Sequence, residues 1–251
     1  MNDSRFEIRD SRSEIRDSRL KLIVALDVAD RAAALQAVDH LSGHVGYFKL
    51  GLEIFTREGP RLVEEIQGRG EKIFLDLKLH DIPNTVRGAV RSACRLGVQM
   101  LTVHASGGPA MLAVACQEAQ DSGYPPLVLA VTALTSLSQD DVHALGINGS
   151  VEQWVEKLAE LAHGAGISGI VASTKELPML RRKFQGAMKL VIPGIRPAGA
   201  ALQDQSRAAT PAEAIRAGAD FIVVGRPILQ ASDPAKAADA IVAEIQHAPQ
   251  L

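Results

Sequence analysis

The chain has 251 residues, which is enough for one large domain or two small ones. Hydrophobic residues make up 47% of it and charged residues 22%, so it can bury a sizeable core. A net charge of −2 and an aromatic content of 4% argue against nucleic acid or an anionic membrane as a partner. No apolar run approaches the roughly 18 residues of a membrane span, and we predict a cytoplasmic protein.

Residues 1–19 differ from the rest of the chain. The segment Glu7-Ile8-Arg9-Asp10-Ser11-Arg12 recurs as residues 14–19, with a spacing of seven. One apolar residue per heptad cannot form a coiled-coil seam, and the acidic content is too high for a mitochondrial presequence. We therefore predict a solvated extension over residues 1–19, followed by a single domain over residues 20–251.

From residue 20 onwards, apolar strand-like runs alternate with helical patterns eight times. Such alternation predicts a parallel sheet with a covered outer face, and eight units fit a closed (β/α)8 TIM barrel better than a doubly wound sheet. The predicted strands are residues 22–26, 47–51, the first part of 72–86, 98–104, 127–132, 167–172, 189–193 and 221–224. The predicted helices are 29–41, 59–69, 84–96, 110–121, 151–163, 175–184, 211–217 and 234–246.

The third predicted strand carries an unusual concentration of charge. Its sequence, KIFLDLKLHDIPNTV over residues 72–86, places Asp76, Lys78 and Asp81 within six residues. Strand side chains alternate between faces, so Asp76 and Lys78 are expected to share one face. Asp81 follows where Pro83 suits the first turn of a helix. A structural ion-pair network is the alternative, but it would be costly to desolvate.

Other polar side chains are expected at the same rim of the barrel, because each follows the carboxyl end of a predicted strand. This rim carries the active site in barrels of this kind, and the two longest connections, after the fifth and seventh strands, open on it as candidate lids. The residues concerned are Asp27, Lys49, Asp76, Lys78, His104, Thr132, Arg196 and Arg226.

The last two strands are followed by a candidate phosphate site. Pro193-Gly194-Ile195-Arg196 and Gly225-Arg226 would bring glycine amides and two guanidinium groups side by side. The loops after strands seven and eight are the usual phosphate site of such barrels, and arginine binds phosphate in a bidentate manner. The alternative is that the glycines are turn residues and the arginines are solvated.

The sequence offers little support for metal or nucleophilic chemistry. The histidines and the two cysteines, Cys94 and Cys116, lack metal-ligand spacing, and free thiols are expected. Asp27 and Asp76 could bind Mg²⁺ through oxygen, but we expect no metal and no cofactor. A lone histidine such as His104 is more often a packing residue than a catalytic one.

The motifs together resemble the orotidine 5′-phosphate decarboxylase family in its bacterial form. The sequence FLDLKLHDIPNTV over residues 74–86 is similar to the signature of that family. Further matching segments extend over essentially all of residues 20–251. They are ALD at 25–27, FKLG at 48–51, VT at 131–132, LTS at 134–136, PGIR at 193–196, DQ at 204–205 and VGRP at 224–227.

The resemblance implies a cofactor-independent homodimer that converts orotidine 5′-monophosphate to uridine 5′-monophosphate and CO₂ in pyrimidine biosynthesis. It makes Lys78 the proton donor to C6 of the pyrimidine, in an alternating charge array with Lys49, Asp76 and Asp81. It further implies that Asp81, Ile82 and Thr85 cross into the partner subunit's site. Substrate-binding roles are implied for Asp27 at the ribose, Thr135 at the pyrimidine, and Arg196, Gln205, Gly225 and Arg226 at the 5′-phosphate.

Two other functions are compatible with parts of the pattern. Sister enzymes that decarboxylate or condense sugar phosphates share the Asp-x-Lys-x-x-Asp motif but use Mg²⁺, and they resemble this chain less because they carry glutamate where it has Lys49. A barrel that only binds nucleotide is the second alternative. The intact charge array argues against it, since clustered charges carry a desolvation cost.

Overall fold

The computed structural model describes residue 15, residues 17–197 and residues 209–248. Eight parallel strands form a closed barrel in which each strand pairs with its neighbours in sequence and β8 pairs with β1. This confirms the predicted (β/α)8 TIM barrel. The strands are β1 Leu22–Ala25, β2 Tyr47–Gly51, β3 Ile73–Leu79, β4 Met100–His104, β5 Leu127–Val131, β6 Gly169–Val171, β7 Lys189–Ile192 and β8 Phe221–Val224.

Helices follow the strands and cover the outside of the barrel. Those of the described residues that lie between or after the strands are α1 Arg31–Leu41, α2 Leu52–Glu58, α3 Pro60–Gln67, α4 Pro83–Arg95, α5 Gly108–Gln120, α6 Gln139–Ala144, α7 Val151–Gly164, α8 Leu177–Phe184, α9 Pro211–Arg216, α10 Arg226–Leu229 and α11 Pro234–His247. A 3₁₀ turn, Ala105–Gly107, precedes α5.

Three of these helices were not predicted. Helix α2 begins directly after β2 and is separated from α3 by Gly59, whose φ of 65° a helix cannot accommodate. Helix α6 lies within the long connection after β5 and starts with a capping box between Ser138 and Asp141. The third, α10, is a single turn after β8. None of them has a hydrophobic repeat long enough to stand out in the sequence.

The apolar residues form two layers separated by the wall of the barrel. Alternate strand residues point inwards or outwards, so Phe74 lies in the interior and Leu75 packs against the helices. The interior cluster consists of strand residues alone, with bulky side chains filling the barrel as a packed core. Its buried members are Ile23, Ala25, Phe74, Met100, Leu129, Val191 and Val223.

Beyond this apolar layer the inward-facing positions become polar. Lys49 follows Tyr47 on the inner face of β2, and Asp76 follows Phe74 on the inner face of β3. The expected sharing of a face by alternate residues of β3 therefore places Asp76 at the carboxyl end of the barrel interior. The apolar layer beneath forms the floor of the mouth.

Two predicted features fall partly or wholly outside the described residues. Most of the extension predicted for residues 1–19 lies there, although residues 17–19 are helical and Ser18 is buried against the domain. The segment 198–208, which contains the predicted phosphate ligand Gln205, also lies outside the description.

Across the described parts of the chain, no helix is both long enough and apolar enough to cross a membrane.

The amino end of the barrel is held by charges between β7 and β8. The Asp220 carboxylate pairs with Arg181 and accepts hydrogen bonds from Lys189 Nζ at 3.0 Å and from the Leu190 amide at 2.9 Å. Burial acts to raise the pKa of Asp220, but these hydrogen bonds and the Arg181 charge outweigh it and hold the pKa below its ordinary value. The ionised form therefore stabilises this end of the fold.

We expect Asp220→Asn to lower the free energy of unfolding by about 2 kcal/mol at pH 7, because it removes a charge-assisted network. A folded-state pKa below the unfolded one contributes stability above the unfolded pKa of about 3.9 and loses it as the pH falls. The difference in the free energy of unfolding between wild type and Asp220→Asn should therefore shrink below about pH 4. Urea unfolding at a series of pH values measures this difference. Asp39→Asn, which removes an exposed pair with Arg69, is the control and should change stability little. A gap that stays constant with pH would contradict this account.

Candidate active site

A cavity of about 240 Å³ opens at the carboxyl ends of the strands. Its floor is the upper part of the apolar interior, and its wall carries the charged residues of the first three strands. This is the position of the active site in barrels of this kind. The lining residues are Ala25, Asp27, Lys49, Phe74, Asp76, Lys78, Val131, Ala133, Leu134, Thr135, Val171, Val191, Pro193, Gly194 and Val223.

Four charged side chains in this cavity alternate in sign. The Lys78 ammonium lies 2.9 Å from both carboxylate oxygens of Asp76. On the other side, Lys49 Nζ lies 3.6 Å from Asp76 Oδ2 and 3.5 Å from Asp27 Oδ1. The order Lys78, Asp76, Lys49, Asp27 lets each charge face opposite charges, which offsets part of the cost of removing them from water.

Burial within the array is uneven. Only 12% of the Asp76 side chain and 13% of that of Lys49 are exposed, against 30% for Lys78 and 61% for Asp27. The two central charges are thus fixed and poorly solvated, while Lys78 and Asp27 reach into the open part of the cavity. Charges held in this way act more strongly on a bound molecule than they would in water.

The backbone of β3 departs from regular strand geometry at Lys78. Lys78 has a φ of 49°, in the left-handed region that non-glycine residues rarely adopt. The pairing with β4 shifts between Leu75 and Leu79, so that four steps along β3 match two along β4. The Lys78 amide donates to the Thr102 hydroxyl at 2.8 Å rather than to a strand carbonyl. The irregularity lies at the residue whose ammonium completes the array, as strained backbone at functional sites often does.

Thr102 was not predicted as a site residue. It is fully buried on β4, and its hydroxyl also donates to Asp76 Oδ1 at 3.0 Å. The signal available in the sequence was a polar residue inside an apolar strand, two residues before His104. Thr132, by contrast, was noted at the rim but is buried with its hydroxyl donating to the Val171 carbonyl at 2.9 Å, away from the charges.

Three residues of the third-strand motif lie outside the cavity. Asp81, Ile82 and Thr85 are all exposed, and 67% of Ile82 is accessible. Asp81 Oδ1 accepts a hydrogen bond from the Ile82 amide at 2.6 Å, just before Pro83 begins α4. The chain therefore presents this part of the motif outwards, beside its own cavity.

The described candidate phosphate residues follow β7 and β8, and β8 closes the barrel against β1 next to Asp27. Pro193 and Gly194 line the cavity, and the Gly194 φ of 75° lets the chain turn there after β7. A Cβ atom on Gly225 would lie 3.5 Å from Asp27 Oδ2, so the start of α10 at Arg226 is next to the ribose candidate. Arg196 is buried, and its amide donates to the Ala209 carbonyl at 3.0 Å. The described residues thus bring Asp27, Gly194 and Gly225 to one side of the mouth.

Two histidines stack beside the charge array. The rings of His80 and His104 lie 5.3 Å apart with an interplanar angle of 26°, and His104 Nδ1 lies 2.9 Å from the Ser106 hydroxyl. Burial lowers the pKa of His104 below its ordinary value, and the neighbouring His80 and Lys78 lower it further. A neutral His104 adds no positive charge beside Lys78.

The closed barrel and the charged cavity at its mouth are those of an enzyme of the (β/α)8 class. Residues 20–241 match the sequence model of the orotidine 5′-phosphate decarboxylase / HUMPS family. Orotidine 5′-phosphate decarboxylase of Syntrophotalea carbinolica is 49% identical over 233 residues, covering 91% of this chain and 96% of its own. The orotidine 5′-phosphate decarboxylase of Moorella thermoacetica is 50% identical over 232 residues, covering 90% of this chain and 92% of its own.

A solved structure agrees with the sequence relatives. The crystal structure of orotidine 5′-phosphate decarboxylase from Lactobacillus acidophilus superposes with a TM-score of 0.80 at 36% identity, covering 89% of this chain and 98% of that one. The chain belongs to the orotidine 5′-phosphate decarboxylase / HUMPS family, and the predicted resemblance is confirmed. The match begins at residue 20, where the predicted domain begins.

The contact between His104 and the array can be tested by titration. In Lys78→Met the pKa of His104 should rise, because one of the positive charges that lower it is removed, and it should stay below the ordinary value because the ring is still buried. NMR titration of the histidine side chains measures this. Lys72→Met is the control, because Lys72 directly precedes the other end of this strand, with its Nζ 5.5 Å from the centre of the Tyr47 ring, and it should leave the His104 curve in place. An unchanged curve in Lys78→Met would refute the assigned coupling.

Proposed function

We propose that this protein decarboxylates orotidine 5′-monophosphate to uridine 5′-monophosphate and CO₂ without a cofactor, as an enzyme of pyrimidine biosynthesis in the cytoplasm. One observation carries the proposal. A lysine ammonium, Lys78, is held at 2.9 Å by both oxygens of a buried carboxylate, Asp76, at the mouth of the barrel. Relatives about half identical to this chain bear the name of that enzyme.

The reaction places a specific demand on the site. Cleavage of the C6–carboxylate bond leaves the electron pair on C6, where no adjacent carbonyl can delocalise it. Stabilisation must then come from fixed charges, and the Lys78 ammonium is the group that supplies it. Transfer of a proton from Lys78 Nζ to C6 completes the product. The partly exposed Lys78 side chain is able to reach a molecule in the cavity.

Asp76 adds a second effect before the bond breaks. The substrate carboxylate would lie beside Asp76, which is only 12% exposed and poorly screened by water. Two like charges about 4 Å apart repel by roughly 4 kcal/mol at an effective dielectric near 20. Departure of CO₂ relieves this repulsion, which if fully relieved corresponds to about three powers of ten in rate. Lys49 Nζ lies 3.6 Å from Asp76 Oδ2 and places a second positive charge on the opposite side of this carboxylate.

Binding of the nucleotide is assigned to the rest of the mouth. Asp27, the most exposed of the four charges, accepts hydrogen bonds from the ribose hydroxyls, and Thr135 on the cavity wall faces the pyrimidine. Guanidinium groups and glycine amides after β7 and β8 hold the phosphate, far from C6, where its binding energy can hold the reactive complex together. These phosphate residues are Arg196, Gln205, Gly225 and Arg226.

The protein is proposed to act as a homodimer with two shared sites. Asp81, Ile82 and Thr85 are exposed next to the subunit's own cavity, and they are the residues that the family resemblance assigns to the partner's site. In a two-fold dimer each subunit would donate these three residues to the other's site. Asp81 would then place a second carboxylate beside Lys78 of the partner.

The charge at Lys49 disfavours the Mg²⁺-dependent sugar-phosphate enzymes of the same superfamily. Its ammonium lies between the carboxylates of Asp27 and Asp76, at 3.5 and 3.6 Å. These are the oxygens that a divalent cation would need, and a cation there would be repelled by the ammonium.

We expect wild-type protein to consume orotidine 5′-monophosphate in a spectrophotometric assay, with the same rate in the presence of a chelator. In Lys78→Ala, kcat should fall by about three powers of ten or more, because both the stabilising charge and the proton donor are lost. Binding of uridine 5′-monophosphate should survive, since the phosphate residues are intact. Lys72→Ala is the matched control and should retain activity. Loss of activity with the chelator, or a fully active Lys78→Ala, would contradict the mechanism.

Shared sites make a separate prediction. Lys78→Ala and Asp81→Ala dimers should each be inactive, but after subunit exchange the mixture should recover up to about a quarter of wild-type activity. Half of the dimers are then mixed, and one of their two sites has both residues intact. Lys78→Ala mixed with Asp76→Ala is the control, since both residues belong to the same subunit's site and no activity should return. Absence of recovery despite demonstrated exchange would refute the crossed arrangement.

A further inference from the structure

Thr102 connects the two halves of the central ion pair through one atom. Its Oγ1 accepts a hydrogen bond from the Lys78 amide at 2.8 Å and donates one to Asp76 Oδ1 at 3.0 Å. A hydroxyl is able to do both at once, because it has one proton and two lone pairs. Thr102 itself is fully buried on β4, so no water competes for these bonds.

The hydroxyl takes the place of a missing strand contact. Between Leu75 and Leu79 the pairing with β4 advances by four residues on β3 and by only two on β4. Lys78 lies within this shift with a φ of 49°, and its amide is bonded to the threonine side chain. A buried amide without an acceptor is destabilising, so this hydroxyl supports the backbone conformation from which the Lys78 side chain extends.

The same hydroxyl sets the rotation of the Asp76 carboxylate. The terminal torsion of aspartate is broad, so hydrogen bonds decide its orientation. Oδ1 is held by Thr102, while Oδ2 faces Lys49 at 3.6 Å, and Lys78 contacts both oxygens. On the Oδ1 side, the contacts of the carboxylate among the described residues are the Thr102 hydroxyl and the Lys78 ammonium. Without the hydroxyl, Lys78 alone would oppose a rotation of the carboxylate towards Lys49.

We propose that Thr102 is a positioning residue for the decarboxylation, which fixes the Lys78 backbone and the Asp76 carboxylate in the geometry that the reaction uses. The proposal rests on the proposed function for its catalytic part. Thr102 acts through Asp76 and Lys78 and is not itself among the residues that line the cavity. Its loss should therefore affect turnover rather than binding.

Three variants test this role. Thr102→Val keeps the shape of the side chain and removes the hydroxyl, and kcat should fall about 30-fold, or about 2 kcal/mol at 1.36 kcal/mol per tenfold. The KM and the affinity for uridine 5′-monophosphate should change by less than about threefold, a difference of under 1 kcal/mol. Thr102→Ser keeps the hydroxyl and should restore most of kcat. Thr132→Val is the matched control, because it removes another fully buried threonine hydroxyl, bonded to the Val171 carbonyl, and should leave kcat unchanged.

Amide hydrogen exchange provides a readout that needs no turnover. Peptides spanning residues 76–80 should exchange faster in Thr102→Val than in wild type, Thr102→Ser or Thr132→Val. A wild-type protein inactive on orotidine 5′-monophosphate would refute the proposed function, and the exchange experiment would still decide whether Thr102 holds Lys78. An active wild type with kcat retained in Thr102→Val, an equal loss in Thr102→Ser or Thr132→Val, or unchanged exchange would overturn the role of Thr102.

Discussion

The contact between the Lys78 ammonium and both oxygens of Asp76 is the interaction on which the site depends. It holds the Lys78 ammonium, which can act on a bound molecule, in contact with a carboxylate that is nearly excluded from water. Such a pair is costly to desolvate unless further partners satisfy it, and here Lys49 and Thr102 do so from two sides. The barrel supplies Lys49 from β2 and Thr102 from β4, the strands on either side of β3. The apolar interior beneath them excludes water from that side.

Much of this arrangement could be predicted because it follows from the alternation of side chains along each strand and from the position of the strands' carboxyl ends. The alternation of β3 predicted that Asp76 and Lys78 share one face, and their side chains meet at the mouth of the barrel while Leu75 packs against the helices. Parallel strands bring their carboxyl ends to one rim, so Asp27, Lys49 and Asp76 could be grouped from three separate segments. The closed barrel itself followed from the count of eight strand and helix units.

Other features depend on tertiary contacts that no local pattern reports. The shift of register at Lys78 is visible only against β4, and the role of Thr102 exists only because that shift leaves an amide to be bonded. Helices α2 and α6 are too short for a clear hydrophobic repeat, and a glycine or a cap sets their limits. The exposure of Ile82 also has no local signal in the sequence, and only the family resemblance, which implies a role for it in the partner subunit's site, pointed to it.

The left-handed backbone at Lys78 has a consequence for how this sequence can change. Glycine or asparagine would adopt that conformation with less strain than lysine does, so the residue that best suits the local backbone is not the one that the proposed chemistry requires. Relief of this backbone strain alone would thus favour the replacement of Lys78, and in the proposed mechanism selection for turnover retains it. Descendants of this barrel that lose their activity should therefore change Lys78 together with Asp76, since a buried Asp76 carboxylate left without the ammonium would cost stability.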